Sequence, residues 1–418
     1  MTEMQTVDYL VAGASHAALS ALEAIRMHDP AGSVAVLARE DHLPYSPTVL
    51  PYVVSGRSKP ETVALKPAAY FAQNNIAILA GRALTRVDAA TKRVHFANGE
   101  AMAYGKLLLA TGAAPIVPPI PGLGEVKFHV LRTLADATRL HAALPKARAA
   151  VVLGAGLIGM HAAENLAKTG ASVTVVEMQA QVLPGYFDAA ASQIIASVFA
   201  ANGVRLRLGS RVEKLAASSQ GCTLTLADGS CIDADLLLVA TGVAPVIDYL
   251  EGSGIATERG ILVDDSMRTS VADIYAAGDV AQARGFYGGK PLVGGILPDA
   301  VEQGRIAGMA MAGDPATPAY PGSVPLNSYA FFGQQALSVG SQSEGELACQ
   351  VTDAGTNQYL KIVMRDNRLT GIFGINRPFD PGIMWQLILR RTDLGAVRDQ
   401  FIANPRETAR QLMSQLWR

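Results

Sequence analysis

The chain carries the same arrangement of motifs twice, and this duplication restricts the folds open to it. Each half begins with an apolar strand and a glycine-rich turn, and later closes on an apolar strand followed by Ala-Thr-Gly. The openings are residues 9–18 and 151–159, and the closing segments are residues 107–112 and 236–242. Asn98-Gly99 and Asp228-Gly229 precede the closing strands, and each dipeptide predicts a tight two-residue hairpin with positive φ angles. Two such halves predict two dinucleotide-binding sites, which suggests hydride transfer between a nicotinamide and a flavin.

The second glycine turn fits the complete G-x-G-x-x-G pattern between an apolar strand and a helical stretch. Its glycines allow a tight turn, close approach to a pyrophosphate, and close helix–strand packing, while the helix N-terminus offers free N–H groups to the phosphates. Glu177 ends the next strand, where a carboxylate binds ribose hydroxyls and repels a 2′-phosphate; a solvated strand end is the alternative. This half is therefore predicted to bind NAD, through Gly154, Gly156, Leu157, Ile158, Gly159, Glu177 and Gly242.

The first glycine turn is a degraded form of the same pattern, with Gly13, Ser15 and Ala18 at the three glycine positions. Small residues still permit close approach, and flavin sites accept such variation. Ala38 occupies the position of the expected acid at the end of the second strand. A later Gly-Asp pair supplies a carboxylate, Asp279, that can hold a ribityl chain; a helix N-cap is the alternative role. This half is predicted to bind FAD.

Composition and charge exclude several other classes of protein. Half of the 418 residues are apolar and 17% are charged, which argues against a disordered chain. A net charge of −1 gives no reason to expect nucleic acid as a partner, and no membrane span or signal peptide is predicted. The odd number of cysteines and the scattered histidines predict neither a disulfide framework nor a metal or iron–sulfur site. A cytoplasmic location is expected.

Proline-rich breaks at residues 114–122 and 315–325 divide the chain, because proline lacks an N–H donor and fixes φ. We predict an α/β chain with two Rossmann-like domains and a C-terminal α+β interface domain. The FAD-binding domain is expected to be discontinuous, with the NAD-binding domain inserted into it. The predicted ranges are residues 1–115 and 248–320 for FAD, 116–247 for NAD, and 321–418 for the interface domain.

These motifs resemble those of the FAD-dependent pyridine nucleotide–disulfide oxidoreductase superfamily, and most of all the branch with ferredoxin, rubredoxin and nitrite reductases and NADH oxidases. The resemblance extends over nearly the whole chain. It implies hydride transfer between FAD and NAD without a catalytic side-chain acid or base. By residue numbers of this chain, it implies FAD contacts at Gly13, Ser15, His16, Ala17, Glu40, Ala83, Thr111, Gly112, Arg132, Gly278, Asp279 and Leu297. Arg132 is equally compatible with an exposed cation.

The departures from this family pattern are also informative. Several relatives carry a redox cysteine after the second strand, but residues 44–52 contain none, which rules out a thiol relay at that place. Pro47, next to Thr48, stands where electron-transfer reductases usually have a cation. His161 replaces a common glutamate, and Glu164 lies one helical turn later. These four residues are the candidates near the hydride-transfer site, although a core or capping role for His161 remains open.

Residues 43–52 and 13–20 together resemble the FAD-carrying subunits of cytoplasmic, multi-subunit 2-oxoacid:acceptor oxidoreductases of aromatic degradation. This resemblance implies that the chain passes electrons from iron–sulfur partner subunits to NAD. A free-standing NADH:ferredoxin or rubredoxin reductase is the main alternative, followed by an NADH oxidase. A flavoprotein whose NADH binding switches an interaction surface is a further hypothesis.

Overall fold

The computed structural model describes residues 6–416, which divide into two compact units. The first unit contains the described residues up to Val49, Glu61–Ala114 and Val243–Ser323. The second contains Leu50–Pro60, Pro115–Gly242 and the described residues from Val324 onward. Each unit has strands in parallel pairing together with α-helices. The predicted α/β fold class is therefore confirmed.

The main sheet of the first unit combines parallel and antiparallel strands in the order β3-β2-β1-β6-β5-β4, with β17 also paired to β6. Its strands are β1 (Thr6–Ala12), β2 (Val34–Leu37), β3 (Ile76–Leu79), β4 (Leu84–Asp88), β5 (Arg93–Phe96), β6 (Ala101–Leu109) and β17 (Ile274–Ala276). β1, β2, β3, β6 and β17 run parallel, whereas β5 pairs antiparallel with both β6 and β4. The last residue of β17 pairs with the last residue of β6. The Gly-Asp pair and the first Ala-Thr-Gly therefore leave the same edge of the sheet.

Helices and short ladders complete the first unit. The helices are α1 (His16–His28), α3 (Ala68–Gln73) and α7 (Leu297–Ala312). The short strands are β7 (Ala113–Pro115), which pairs with β15 (Val243–Pro245), and the set β16 (Ile261–Leu262), β18 (Ala281–Arg284) and β19 (Pro291–Leu292). The sequence places the start of α7 at Asp299, two residues late. Pro298 does not delay the helix, because proline is tolerated in the first turn.

α1 and α7 pack with almost no space between their backbones. A Cβ atom added at Gly304 would lie 2.1 Å from the Ala17 carbonyl oxygen, and one at Gly308 would lie 2.4 Å from the Ala21 carbonyl oxygen. Both glycines lie inside α7, where glycine costs roughly 1 kcal/mol relative to alanine. The close packing against α1 leaves room only for glycine at these two positions, which explains why the lower helix propensity is tolerated.

The first turn of α7 buries a carboxyl group. Asp299 is 3% exposed and accepts a hydrogen bond from the Ser323 hydroxyl. The backbone of Gly294 covers it so closely that a Cβ atom there would lie 2.1 Å from Oδ2. Burial, and secondarily the charge of Asp279, raises the pKa of Asp299 to about 6, although the hydrogen bond from Ser323 opposes the shift. Asp299 is therefore partly protonated in the folded protein at mildly acidic pH.

The second unit contains a four-stranded parallel sheet in the order β10-β9-β8-β14. Its strands are β8 (Ala149–Leu153), β9 (Ser172–Val176), β10 (Val204–Arg207) and β14 (Leu236–Val239). An antiparallel three-stranded sheet is formed by β11 (Val212–Ser218), β12 (Gly221–Leu226) and β13 (Cys231–Ala234). The helices of this part are α2 (Leu50–Val54), α4 (Leu134–Ala143), α5 (Leu157–Lys168) and α6 (Ala189–Ala201). The second half therefore follows the same strand–turn–helix order as the first.

The last part of the chain adds an antiparallel sheet in the order β20-β21-β24-β23-β22 and three helices. The strands are β20 (Leu326–Phe331), β21 (Gln334–Gly340), β22 (Glu346–Asp353), β23 (Gln358–Arg365) and β24 (Arg368–Ile375), and the helices are α8 (Pro381–Leu389), α9 (Arg398–Ala403) and α10 (Pro405–Leu416). The sequence predicts strands at 336–339, 359–364 and 369–373 and helices at 381–391 and 404–416, which are confirmed with small shifts. The sequence pattern does not predict β20, β22 or α9.

The two hairpin loops differ from the predicted two-residue turn, which needs positive φ at both central positions. Only the glycine of each dipeptide is left-handed, with φ +84° at Gly99 and +81° at Gly229. In both loops the glycine N–H donates to the carbonyl of the residue three positions earlier, Phe96 at 3.0 Å and Leu226 at 2.9 Å. Each loop is therefore longer than two residues and has one αL glycine, whose N–H is hydrogen-bonded within the loop. The prediction of a tight two-residue turn is wrong in its geometry.

One short segment leaves the first unit between Val49 and Glu61. Its helix α2 packs on α4 and α5 of the second unit. Nδ1 of His141 lies 2.9 Å from the Val54 carbonyl oxygen, and the Asn165 side-chain amide donates to the Pro51 carbonyl at 3.3 Å. Of the cysteine-free stretch 44–52, residues 44–49 therefore belong to the first unit and residues 50–52 to the second.

We expect Gly304→Ala to destabilise the protein, because the new methyl group meets backbone that has no room to move. Overpacking of this kind costs roughly 1–3 kcal/mol, measured as a lower midpoint of urea denaturation. Gly382→Ala is the matched control, since, apart from the backbone of its own helix, its Cβ atom would meet among the described residues only the Asp380 side chain, at 3.5 Å. Equal midpoints for Gly304→Ala and the parent protein would contradict the prediction.

We expect Asp299→Asn to stabilise the protein above pH 6 and to have little effect near pH 4. The raised pKa means that the folded state holds a proton that the unfolded state releases, so this stability is present below pH 4 and lost as pH rises through about 6. The loss amounts to roughly 3 kcal/mol. Thermal melts at pH 4.5 and 7.5 test this.

The matched control for that experiment is Asp353→Asn. Asp353 is an exposed carboxylate that accepts hydrogen bonds from Thr356 and Gly355, and these contacts lower its pKa. Its replacement should not stabilise the protein at pH 7.5. A shift for Asp299→Asn that is the same at both pH values would show that ionisation is not its cause.

Candidate functional site

The second glycine turn lies between β8 and α5 and is held by its own backbone. Gly154 has φ +103°, and a Cβ atom there would lie 2.4 Å from the Ala240 carbonyl oxygen in the second Ala-Thr-Gly. A Cβ atom at Gly159 would lie 2.1 Å from the Gly154 carbonyl oxygen. At Gly156, by contrast, an added Cβ would meet nothing within 4 Å among the residues that the structure describes. The turn therefore has no space for a side chain at Gly154 or Gly159, whereas the space at Gly156, before the N-terminus of α5, is open.

The Glu177 carboxylate is hydrogen-bonded to the backbone of this turn. Its Oε2 accepts the Ala155 N–H at 2.8 Å, and its Oε1 accepts the Gln179 N–H at 2.8 Å. Each carboxylate oxygen keeps a lone pair for a further donor. Met178, the next residue, is 68% exposed and brings no positive charge. The arrangement fits a dinucleotide whose pyrophosphate meets the start of α5 and whose ribose hydroxyls meet Glu177.

The remaining residues predicted to bind NAD surround the same turn. Leu157 and Ile158 form the first turn of α5, and Ile158 is 38% exposed. Gly242 follows β14 with φ +114°, and its carbonyl accepts the Ile116 N–H at 2.9 Å. Their contact with NAD remains a prediction.

The first glycine turn repeats the geometry of the second. Gly13 has φ +122°, and a Cβ atom there would lie 2.0 Å from the Ala110 carbonyl oxygen in the first Ala-Thr-Gly. Ser15 is the N-cap of α1 in extended conformation, and its hydroxyl donates to the Tyr45 carbonyl at 3.4 Å. The N–H groups at the start of α1 are thus left for a ligand, as a pyrophosphate requires.

The Gly-Asp pair lies against this turn. Gly278 has φ +77°, and its added Cβ would lie 3.2 Å from the Ala17 Cβ. The Gly278 N–H donates to the Gln303 side chain at 2.9 Å. The structure therefore brings Ala17, Gly278 and the adjacent Asp279 together with the start of α7, where Leu297 is 39% exposed. A backbone cradle of this kind, with one carboxylate, fits the FAD predicted for this half.

Other residues predicted to bind FAD have contacts of their own. The Thr111 hydroxyl lies 2.7 Å from the Tyr249 hydroxyl, and the Gly112 carbonyl accepts the Val246 N–H at 3.1 Å. Ala83 lies just before β4, and its carbonyl accepts a backbone hydrogen bond. Arg132 belongs to the second unit, before the N-cap of α4. The contacts of these residues with FAD remain predictions.

The segment that lacks cysteine carries a network of hydroxyl groups. The Tyr45 hydroxyl donates to Glu40 Oε1 at 2.8 Å. His16 Nε2 lies 2.8 Å from the Ser46 hydroxyl, which lies 2.7 Å from the Thr48 hydroxyl. The sequence singles out His16, Glu40, Pro47 and Thr48 but misses Ser46 and Tyr45. Their place inside the unusual string 43–52 was the available signal.

His161 and Glu164 face the C-terminal sheet. The His161 ring packs edge-to-face on Tyr329 at 4.7 Å, and burial lowers the pKa of His161 although Glu164 opposes the shift. Glu164 is buried and accepts the Phe332 N–H at 2.9 Å and the Lys168 ammonium at 2.5 Å. The structure therefore assigns both side chains a packing role within the second unit. Their influence on hydride transfer remains a prediction.

Three further observations concern redox centres and membranes. Cys222 is buried, Cys231 exposed and Cys349 half-buried, and all three are free thiols. Across residues 6–416, no group of three or more His, Cys, Asp or Glu side chains is placed to hold a metal ion. Within the same range, no helix has both the length and the apolar character needed to span a bilayer.

Comparisons with known proteins agree with this geometry. The chain is 54% identical to the NADH-dependent phenylglyoxylate dehydrogenase subunit epsilon of Aromatoleum evansii, over 98% of each chain. It is 28% identical to the ferredoxin–NAD(+) reductase component of the biphenyl dioxygenase system of Paraburkholderia xenovorans, over 94% of this chain and 96% of that one. The crystal structure of a ferredoxin reductase from Rhodopseudomonas palustris superimposes with a TM-score of 0.81 at 26% identity, over 89% of this chain and 91% of that one.

The family comparison covers both glycine turns and the return of the chain to the first unit. Residues 7–307 match the pyridine nucleotide-disulphide oxidoreductase family. This range runs from β1 into α7. FAD and NAD(H) are the cofactors expected for that family, and the two turns fit them. The chain therefore belongs to the pyridine nucleotide-disulphide oxidoreductase family.

Proposed function

We propose that this oxidoreductase is the FAD-carrying subunit of a 2-oxoacid dehydrogenase complex of the phenylglyoxylate type, which passes electrons from iron–sulfur partner subunits to NAD+. The observation that carries the proposal is its 54% identity to the Aromatoleum subunit along the whole length of both chains. Identity that continues through the C-terminal sheet favours the same assembly as well as the same cofactors. A cytoplasmic location is part of this proposal.

The cofactor sites follow from the two turns. We assign FAD to residues 1–115 and 248–320, NAD to 116–247, and contacts with partner subunits to 321–418. Gly13, Ser15, Ala17 and Asp279 would hold FAD in the first unit. Gly156 and Glu177 would hold NAD in the second.

In this reaction the protein contributes mainly by orienting the two cofactors and by placing charges near them, and less by acid–base catalysis. When bound, FAD supplies the conversion between one-electron transfer and hydride transfer to nicotinamide. The helix N-termini would bind the pyrophosphates, and Glu177 would select NAD over NADP. Because residues 44–52 lack cysteine, no thiol of this segment relays electrons, and Pro47 and Thr48 occupy that place.

A free-standing NADH:ferredoxin reductase is the second candidate function. The 28% identity to the Paraburkholderia reductase component over nearly the full length of both chains favours it. It shares the two cofactor sites and differs in the partner, which would be a separate small iron–sulfur protein. The isolated protein would then be complete in itself.

We expect Glu177→Ala to weaken NADH binding by about 10- to 100-fold, since the loss of one hydrogen bond to a charged group costs roughly 1.5–3 kcal/mol. Adding Met178→Arg should favour NADPH, because it supplies a cation beside the ribose. Fluorescence titration with NADH and NADPH measures both affinities. Glu213→Ala is the matched control, since Glu213 lies on β11 in an exposed ion pair with Arg211. Unchanged NADH affinity in Glu177→Ala would refute the assignment.

Gentle purification from the native cells tests the partner. We expect FAD, iron and several other chains to travel with this protein, together with phenylglyoxylate-dependent reduction of NAD+. A lone yellow protein that passes NADH electrons to a small ferredoxin would overturn the subunit proposal and support the reductase. Separation of the iron-containing chains from this subunit should abolish NAD+ reduction by the 2-oxoacid.

A further inference from the structure

A continuous line of hydrogen bonds connects the first glycine turn with the protein surface. It begins at His16, the first residue of α1, and passes through the Ser46 hydroxyl at 2.8 Å to the Thr48 hydroxyl at 2.7 Å. His16 and Ser46 are partly buried, whereas Thr48 is exposed. All three residues belong to the first unit. The line therefore runs from the proposed FAD site to solvent within one compact body.

The inner end of this line is a neutral imidazole with one free nitrogen. Burial lowers the pKa of His16, which keeps the ring uncharged at neutral pH. Nε2 contacts Ser46, and Nδ1 has no hydrogen-bond partner among the residues that the structure describes. An imidazole with one nitrogen bonded outward and the other available can take up a proton on one side and release it on the other.

The hydroxyl groups can be arranged in two ways without losing a hydrogen bond. Ser46 accepts the Thr48 N–H at 3.3 Å, which leaves one lone pair and one O–H. In one arrangement Ser46 accepts from Thr48 Oγ1 and donates to His16 Nε2. In the other it accepts from His16 and donates to Thr48. The two arrangements differ only in proton positions, which is the property a proton relay requires.

The proposed function creates a need for such a relay. Reduction of NAD+ consumes two electrons and one proton per NADH, and an iron–sulfur donor delivers single electrons without protons. One proton must therefore enter the protein from solvent for each NADH formed. In the neighbouring residues, the Tyr45 hydroxyl donates a hydrogen bond to the Glu40 carboxylate.

We propose that Thr48, Ser46 and His16 form a proton relay that delivers this solvent proton to the FAD site. Thr48 receives the proton at the surface, Ser46 passes it inward, and His16 accepts it at Nε2 while releasing a proton from Nδ1. This inference rests on the proposed function, which supplies the one-electron donor. Ser46 and Thr48 are positioning residues in this scheme, because they act through His16.

Proton uptake during photochemical reduction of the FAD-loaded protein tests the relay without NAD or partner subunits. A pH-indicator dye follows the uptake, and the visible spectrum reports the FAD content. We expect His16→Gln and Ser46→Ala to retain FAD and to take up the proton about 100-fold more slowly than the parent. Added imidazole should restore the rate of His16→Gln. Ser55→Ala is the matched control, since the hydroxyl of this half-buried residue donates to the Tyr52 carbonyl at 3.1 Å and takes no part in the line.

The possible outcomes separate the relay from the partner assignment. Parent-like uptake in either FAD-containing variant, or no rescue of His16→Gln by imidazole, would overturn the relay. If His16→Gln loses FAD, the Ser46→Ala variant still decides the question. Slow uptake in both variants from a protein that purifies without iron–sulfur chains would support the relay while the subunit proposal fails.

Discussion

The close approach of a glycine to an alanine carbonyl oxygen organises each half of this protein. Gly13 lies over the Ala110 oxygen and Gly154 over the Ala240 oxygen, at distances that leave no space for a Cβ atom. In each case the contact joins the end of the first strand to the Ala-Thr-Gly that ends its neighbour. The helix that follows therefore begins at the carboxyl edge of the sheet, where ligands bind in such folds. Without this contact the N–H groups would not converge on one place.

Sequence reasoning is strongest where a residue type has one physical explanation. The glycines, the Ala-Thr-Gly strands and the sheet strands of the C-terminal part follow from backbone geometry and apolar pattern. The hairpin geometry does not, because Asn98-Gly99 and Asp228-Gly229 are compatible with several loops and hydrogen bonding with flanking residues decides among them. The sequence also predicts a turn at Asp366 and Asn367, and there the structure has the two-residue type, with φ of +48° and +57°.

Side-chain partners at the candidate site are less predictable, since they come from segments far apart in sequence. Gln303 binds the Gly278 N–H, and Tyr249 meets the Thr111 hydroxyl. No pattern in the neighbouring sequence predicts either contact. His161 and Glu164 illustrate the same limit, because their partners Tyr329 and Phe332 lie in the C-terminal sheet. A motif comparison identifies such positions as unusual, but only the tertiary fold tells which way the side chains face.

The two halves differ most in how they hold the acid that follows the second strand. In the second half, Glu177 receives the Ala155 N–H of the glycine turn itself, so carboxylate and turn form one rigid group. In the first half, Ala38 takes that position and Glu40 instead receives the Tyr45 hydroxyl. This bond ties the strand end to the cysteine-free segment, which Ser46 in turn joins to His16. The duplicated scaffold therefore uses its acid to fix a nucleotide turn in one half and to fix a loop of hydroxyl groups in the other.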